Sequence, residues 1–90
     1  MLNTQRSLAN DSVVRLGVVR GEFHWHKHDN DDVFFCVVEG QFFIDLKDRS
    51  VELGPQHGFT VPKGIEHRTR APNGAVILMV EQSEVVPTGD

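Results

Sequence analysis

Phe23-His24-Trp25-His26-Lys27-His28-Asp29-Asn30-Asp31-Asp32-Val33-Phe34-Phe35-Cys36-Val37-Val38-Glu39-Gly40 is the stretch that decides the fold of this 90-residue chain. Residues two apart on a strand share a face. An extended segment over 22–28 therefore sets His24, His26 and His28 on one side and Trp25 and Lys27 on the other. The run 33–38 is apolar on both faces, so it needs cover on both. Between them, Asp29 to Asp32 is a polar turn whose side chains bond their own backbone.

The same alternation continues outward in both directions. Strands are expected near 12–20, 22–28, 33–38, 41–46, 50–53, 58–61, 66–70 and 75–81, and no segment carries an amphipathic helical period. The breakers are Gly21, Asp29 to Asp32, Glu39-Gly40, Lys47-Asp48-Arg49, Gly54-Pro55, Pro62-Lys63-Gly64 and Pro72-Asn73-Gly74. Glycine supplies positive φ at such points and proline fixes it. Eight short strands without room for crossover helices pair antiparallel, which means an all-β sandwich, barrel or jelly roll. The expected organisation is an N-terminal arm over 1–11, a barrel over 12–86 and a tail over 87–90.

Composition narrows the class of partner. Nine Lys and Arg stand against thirteen Asp and Glu, a formal net charge of -4 without a basic block. That excludes nucleic acid and anionic membrane surfaces as expected partners. The two longest apolar runs, 33–38 and 75–80, have six residues each, far short of the roughly 20 a membrane-spanning helix needs. The first ten residues lack the continuous apolar stretch of a secretory leader. With the lone Cys36 inside an apolar run, no intrachain disulfide is possible and a buried thiol is expected. The reading is a soluble cytoplasmic protein. A chain of this size buries only about 60 to 65 per cent of its unfolded surface, so a metal or a second subunit is expected to share in its stability. The two-sided apolar strand 33–38 favours a homodimer.

Two imidazoles at i and i+2 on a strand lie about 6.5–7 Å apart at Cα, close enough for both rings to meet one ion at about 2.0–2.1 Å. His26 and His28 form such a pair. His67, just past the tight Pro62-Lys63-Gly64 turn, is the candidate third ligand. His24 shares their face and is the candidate fourth ligand or proton carrier near neutral pH. Asp31 is in phase with position 33 if the strand extends that far, whereas Asp32 would need a bulge. His57 lies in a turn and is assigned no role.

These residues carry a family resemblance. His26-x-His28, then four residues to Val33 and six more to Gly40, resembles the first cupin motif, and Pro62-x-Gly64-x-x-His67 resembles the second. The chain from about Val13 onward is similar to small single-domain cupins of the mannose-6-phosphate-isomerase-like kind, and its closing Val85 to Asp90 shares that likeness. The resemblance implies a jelly-roll barrel, the cupin double-stranded β-helix. It also implies a divalent transition metal (Fe, Mn, Ni or Zn) on His26, His28 and His67.

The departures from the family pattern carry chemistry of their own. Val33 stands where these proteins usually have a metal-binding glutamate. Gln56 and His57 replace a glycine and an acidic residue, Ala71 replaces an asparagine, and Gly21 lies one residue closer to His26 than usual. Pairing His24 with His26 instead would put Asp31 at the glutamate position, but it then sets Val38 where Gly40 belongs. Three neutral imidazoles leave the ion's charge uncompensated, which sharpens it as a Lewis acid and weakens its retention. An all-histidine triad resembles certain cupin dioxygenases. The implied functions are a dioxygenase- or isomerase-type enzyme on a small polar molecule or, alternatively, a non-catalytic cupin that holds a metal or small ligand at a degenerate site.

Overall fold

The structure, a computed structural model, describes residues 3–82. The tail over 87–90, the last residues assigned to the barrel and the closing stretch from Val85 lie outside the described residues. Seven strands follow in order: β1 (Asn3–Ala9), β2 (Ser12–Glu22), β3 (Val33–Gly40), β4 (Phe42–Leu46), β5 (Ser50–Leu53), β6 (Gly58–Val61) and β7 (His67–Gln82). Every strand pairing is antiparallel. The described residues contain no helix long and apolar enough to cross a membrane.

The longest strand organises the rest. Along its second half β7 lies between β2 and β3, giving the order β1-β2-β7-β3-β6, while its first half pairs with β4, which in turn pairs with β5. The change of partner coincides with a bend. Val19 pairs with Ala75 and Gly21 with Ala71, so Pro72, Asn73 and Gly74 bulge out opposite Arg20 alone. The sequence reading divides 66–81 into two strands at this Pro-Asn-Gly. The structure keeps one strand, because a bulge absorbs extra residues without reversing the chain.

Two other segments differ from expectation. Residues 3–9, inside the segment read as an arm, form β1 and pair along their whole length with β2. The segment 22–28 is largely irregular, yet it lies against β7: Phe23 N donates to Thr69 O (3.0 Å), and His26 and His67 exchange both backbone hydrogen bonds (2.9 Å each). Glu22 faces Arg70 and His26 faces His67, which leaves one residue too many between them. The extra residue breaks the alternation of 22–28. Phe23 packs against the core, His24 and Trp25 are exposed, and His26 and His28 turn inward.

Alternation fills the barrel. Val33, Phe35 and Val37 from β3, Phe42 and Ile44 from β4, and Ala71, Ala75, Ile77 and Met79 from β7 form one buried cluster with Val19, Leu53 and Val61. The rings of Phe35 and Phe42 lie 5.6 Å apart at its centre. Gly40 ends β3 at φ 89°, a conformation that side chains with a Cβ disfavour. A Cβ there would also meet the carbonyl oxygen of Gly74 at 2.7 Å.

Candidate metal centre

The inward turn of 26–28 and the start of β7 bring three imidazoles together at one end of the barrel. Ring centroids are 4.4 Å apart for His26 and His67, 5.3 Å for His26 and His28, and 6.3 Å for His28 and His67. His28 and His67 are buried and His26 is half-buried. Phe35 forms the floor, its ring 6.3 Å from that of His67. His24 stands at the exposed rim, with its ring 5.3 Å from His26.

The loops hold this arrangement from the backbone. Gly64 N donates to His28 O at 2.7 Å and Ile65 N to Pro62 O at 3.3 Å, which ties the turn before His67 to the end of the His26-His28 segment. Asp32 Oδ1 accepts from Lys63 N at 2.9 Å, so this aspartate braces that turn. Asp31 lines an outer cleft with Asn30, Lys63 and Gln82.

Hydrogen bonding sets which ring nitrogen faces the centre. His67 Nδ1 lies 3.0 Å from Ile65 O and His26 Nδ1 lies 3.1 Å from His24 O. A carbonyl only accepts, so each Nδ1 carries the proton and each neutral ring presents Nε2 as a lone pair. Nε2 of His67 is buried without a hydrogen-bond partner. Burial pushes the pKa of His26 and of His67 below the ordinary histidine value, opposed by the carbonyls of His24 and Ile65 and reinforced by the neighbouring imidazoles. Both effects favour the neutral rings that a metal requires.

The donor set fits a transition metal in type and nearly in shape. An imidazole bound at about 2.1 Å sets its centroid about 3.2 Å from the ion, so rings about 90–110° apart have centroids about 4.5–5.3 Å apart. Two of the three separations match and the third is about 1 Å long on the same scale. The described residues accordingly contain no three His, Cys, Asp or Glu side chains already closed into a metal-holding group.

The outer surface near the site is committed elsewhere. Arg68 Nε and Arg70 Nε both donate to Asp45 Oδ2 at 2.8 Å, and Ser50 Oγ donates to Oδ1 at 2.5 Å. Trp25, turned outward by the extra residue before His26, lies under Lys47 Nζ at 4.1 Å and near the Arg68 guanidinium at 5.4 Å. The two arginines thus serve the outside of the barrel.

A β-barrel with an apolar interior and an imidazole cluster at one end defines a class, and sequence comparison identifies it. The cupin domain profile matches residues 13–81, and the chain belongs to the cupin family. YdbB, an uncharacterized protein of Bacillus subtilis strain 168, is 41% identical over 83 residues, which span 91% of this chain and 74% of YdbB. A cupin-2 domain containing protein from Shewanella frigidimarina superposes with a TM-score of 0.85 at 32% identity, covering 89% of this chain and 79% of that one. Protein NMB1881 from Neisseria meningitidis gives 0.81 at 27% identity, covering 90% and 84%.

Proposed function

We propose that this cupin holds one divalent transition metal on Nε2 of His26 and His67 and on a ring nitrogen of His28, and uses it to bind a small polar molecule entering past His24. The observation that carries this reading is the buried, unpartnered Nε2 of His67, in a ring whose Nδ1 is pinned by Ile65 O. A buried acceptor without a partner is unfavourable in itself. An ion at the centre would remove that cost. When bound, the metal would supply a Lewis acid with open positions for an oxygen donor.

The chain's own residues do the rest. The Ile65 and His24 carbonyls orient two of the rings, the Gly64 amide fixes the backbone at His28, and Phe35 closes the inner side against the core. His24, exposed beside His26, is placed to exchange a proton with a ligand at the mouth. This division suits an enzyme of dioxygenase or isomerase type as well as a module that only holds its ligand. Elemental analysis of protein purified without chelator or nickel resin tests the metal reading. The expected result is near-stoichiometric transition metal, lost when His26, His28 and His67 are changed together to Ala. Metal-free protein that takes up no ion in excess would overturn it. Turnover assays on loaded protein then separate enzyme from binder, since changing His24 to Ala should slow turnover while leaving metal content unchanged.

A further inference from the structure

The three-histidine centre brings no negative charge of its own to an ion. Position 33, where the first-motif resemblance places a metal-binding glutamate, is Val33, buried and inward-facing. Beyond it on the neighbouring strand lies a buried carboxylate that the described residues do not fully satisfy. Glu81 is 2% exposed and sits among the inward residues of β7. Its Oε1 accepts from Arg15 Nε at 2.8 Å, while its Oε2 is buried without a hydrogen-bond partner.

The register relates the two positions. Phe35 pairs with Met79 and Phe34 with Val80, so the next step along the ladder sets Val33 opposite Glu81. Directly opposed residues share a face, with Cβ atoms about 4.5–5.5 Å apart. A glutamate at 81 therefore rises from the same part of the inner wall as a glutamate at 33 would. Valine leaves the space between them to its longer neighbour. Burying half a carboxylate without a partner is unfavourable unless a cation arrives to face it.

We infer that Glu81 is the carboxylate of this metal centre, supplying from β7 the negative charge that Val33 cannot supply from β3, with Arg15 holding Oε1 so that Oε2 stays directed at the ion. The inference rests on the three-histidine reading. It differs from a purely structural Arg15–Glu81 pair in making metal affinity depend on the charge at position 81.

Cobalt(II) titration of chelator-stripped protein, followed by the visible absorption of the bound ion, tests it without any activity assay. Glu81→Gln keeps the oxygen that accepts from Arg15 and replaces the charged Oε2 by an amide nitrogen that has no lone pair for a metal. It should weaken cobalt binding by about tenfold or more, and adding Val33→Glu to that variant should restore most of the loss. Affinity unchanged in Glu81→Gln would overturn the inference. If that variant does not fold, adding Val33→Glu gives a second reading: the double variant should bind like the wild type, and failure to do so overturns the inference. Wild-type protein that binds no cobalt would sink the three-histidine reading, and the inference with it.

Discussion

Asp45 shows how much one side chain can hold in a chain this small. It is 5% exposed, and the Arg70, Ser50 and Arg68 hydrogen bonds keep its carboxyl well below the usual carboxylate range against the opposing effect of burial. Beyond it, Glu22 Oε1 reaches Arg68 Nη1 at 3.6 Å, so the two arginines are bound into one network with two carboxylates. A carboxyl depressed in the folded state contributes stability above its unfolded pKa and loses it as pH falls. His26 and His67, held neutral in the folded protein while the unfolded chain takes up their protons, should lower the midpoint of urea unfolding from pH 7 to 5, and loss of the Asp45 charge should lower it further below about pH 4. Asp45→Asn should lose about 2 kcal/mol at pH 7 and show a flatter fall in acid, measured by the same titration. Single residues also mark the limit of the sequence reading. The proximity of His26, His28 and His67 is legible from their motif spacing, although the segment 22–28 is not the regular strand expected. Glu81 is not legible, since a glutamate late in an alternating strand reads as the exit into solvent, and only the pairing of β3 with β7 shows what it faces.

Elements were legible where apolar runs stand between clear turn signals. β2 to β6 emerge within two residues of their expected ends, because β-branched and aromatic runs bounded by Gly, Pro and Asp turn signals mark short strands. β1 carries the polar sequence Asn3-Thr4-Gln5-Arg6-Ser7, and as an edge strand it forms through pairing with β2, which composition does not register. The extra residue before His26 is equally silent in the sequence, and it separates His24 from the other two histidines. Gly40 is the element-scale test. Its positive φ, and the Gly74 carbonyl oxygen 2.7 Å from where a Cβ would sit, leave no room for a side chain where β3 hands over to β4. Gly40→Ala should cost about 1–3 kcal/mol, read as a lower thermal midpoint. Gly64→Ala, at φ 79° with no atom within 4 Å of its Cβ position, should cost less, because backbone strain alone opposes it.

At the scale of the whole molecule, the two outer faces of the barrel are unlike. Over β4 and the first half of β7 the surface is sealed by Asp45, Arg68, Arg70 and Trp25. Over β2, β3 and the second half of β7 it is apolar: Val14, Val80 and Phe34 form one row, Leu16, Leu78 and Cys36 the next, and Val18 and Val76 a third with Val38 beside them. All nine are partly or largely exposed, and the ring of Phe34 crowds Gly58, whose Cβ position is 2.7 Å from it. A patch of this kind is a candidate interface. None of the nine is charged, so a second copy laid across it by a two-fold axis would match apolar rows to apolar rows without desolvating an ion. The expected state is a homodimer. Light scattering after size exclusion at micromolar concentration should give twice the mass of the chain, and Leu16→Glu should return it to the monomer while the cobalt site persists. The bent strand β7 has a last consequence, for how the protein is made. β2, β3 and β4 all wait for a partner that is translated after them, and both His67 and Glu81 belong to it. While the ribosome is still short of residue 82, the nascent chain holds a set of apolar edges that nothing yet joins. Closure of the barrel and completion of the proposed metal site should therefore arrive together, as one late event in synthesis.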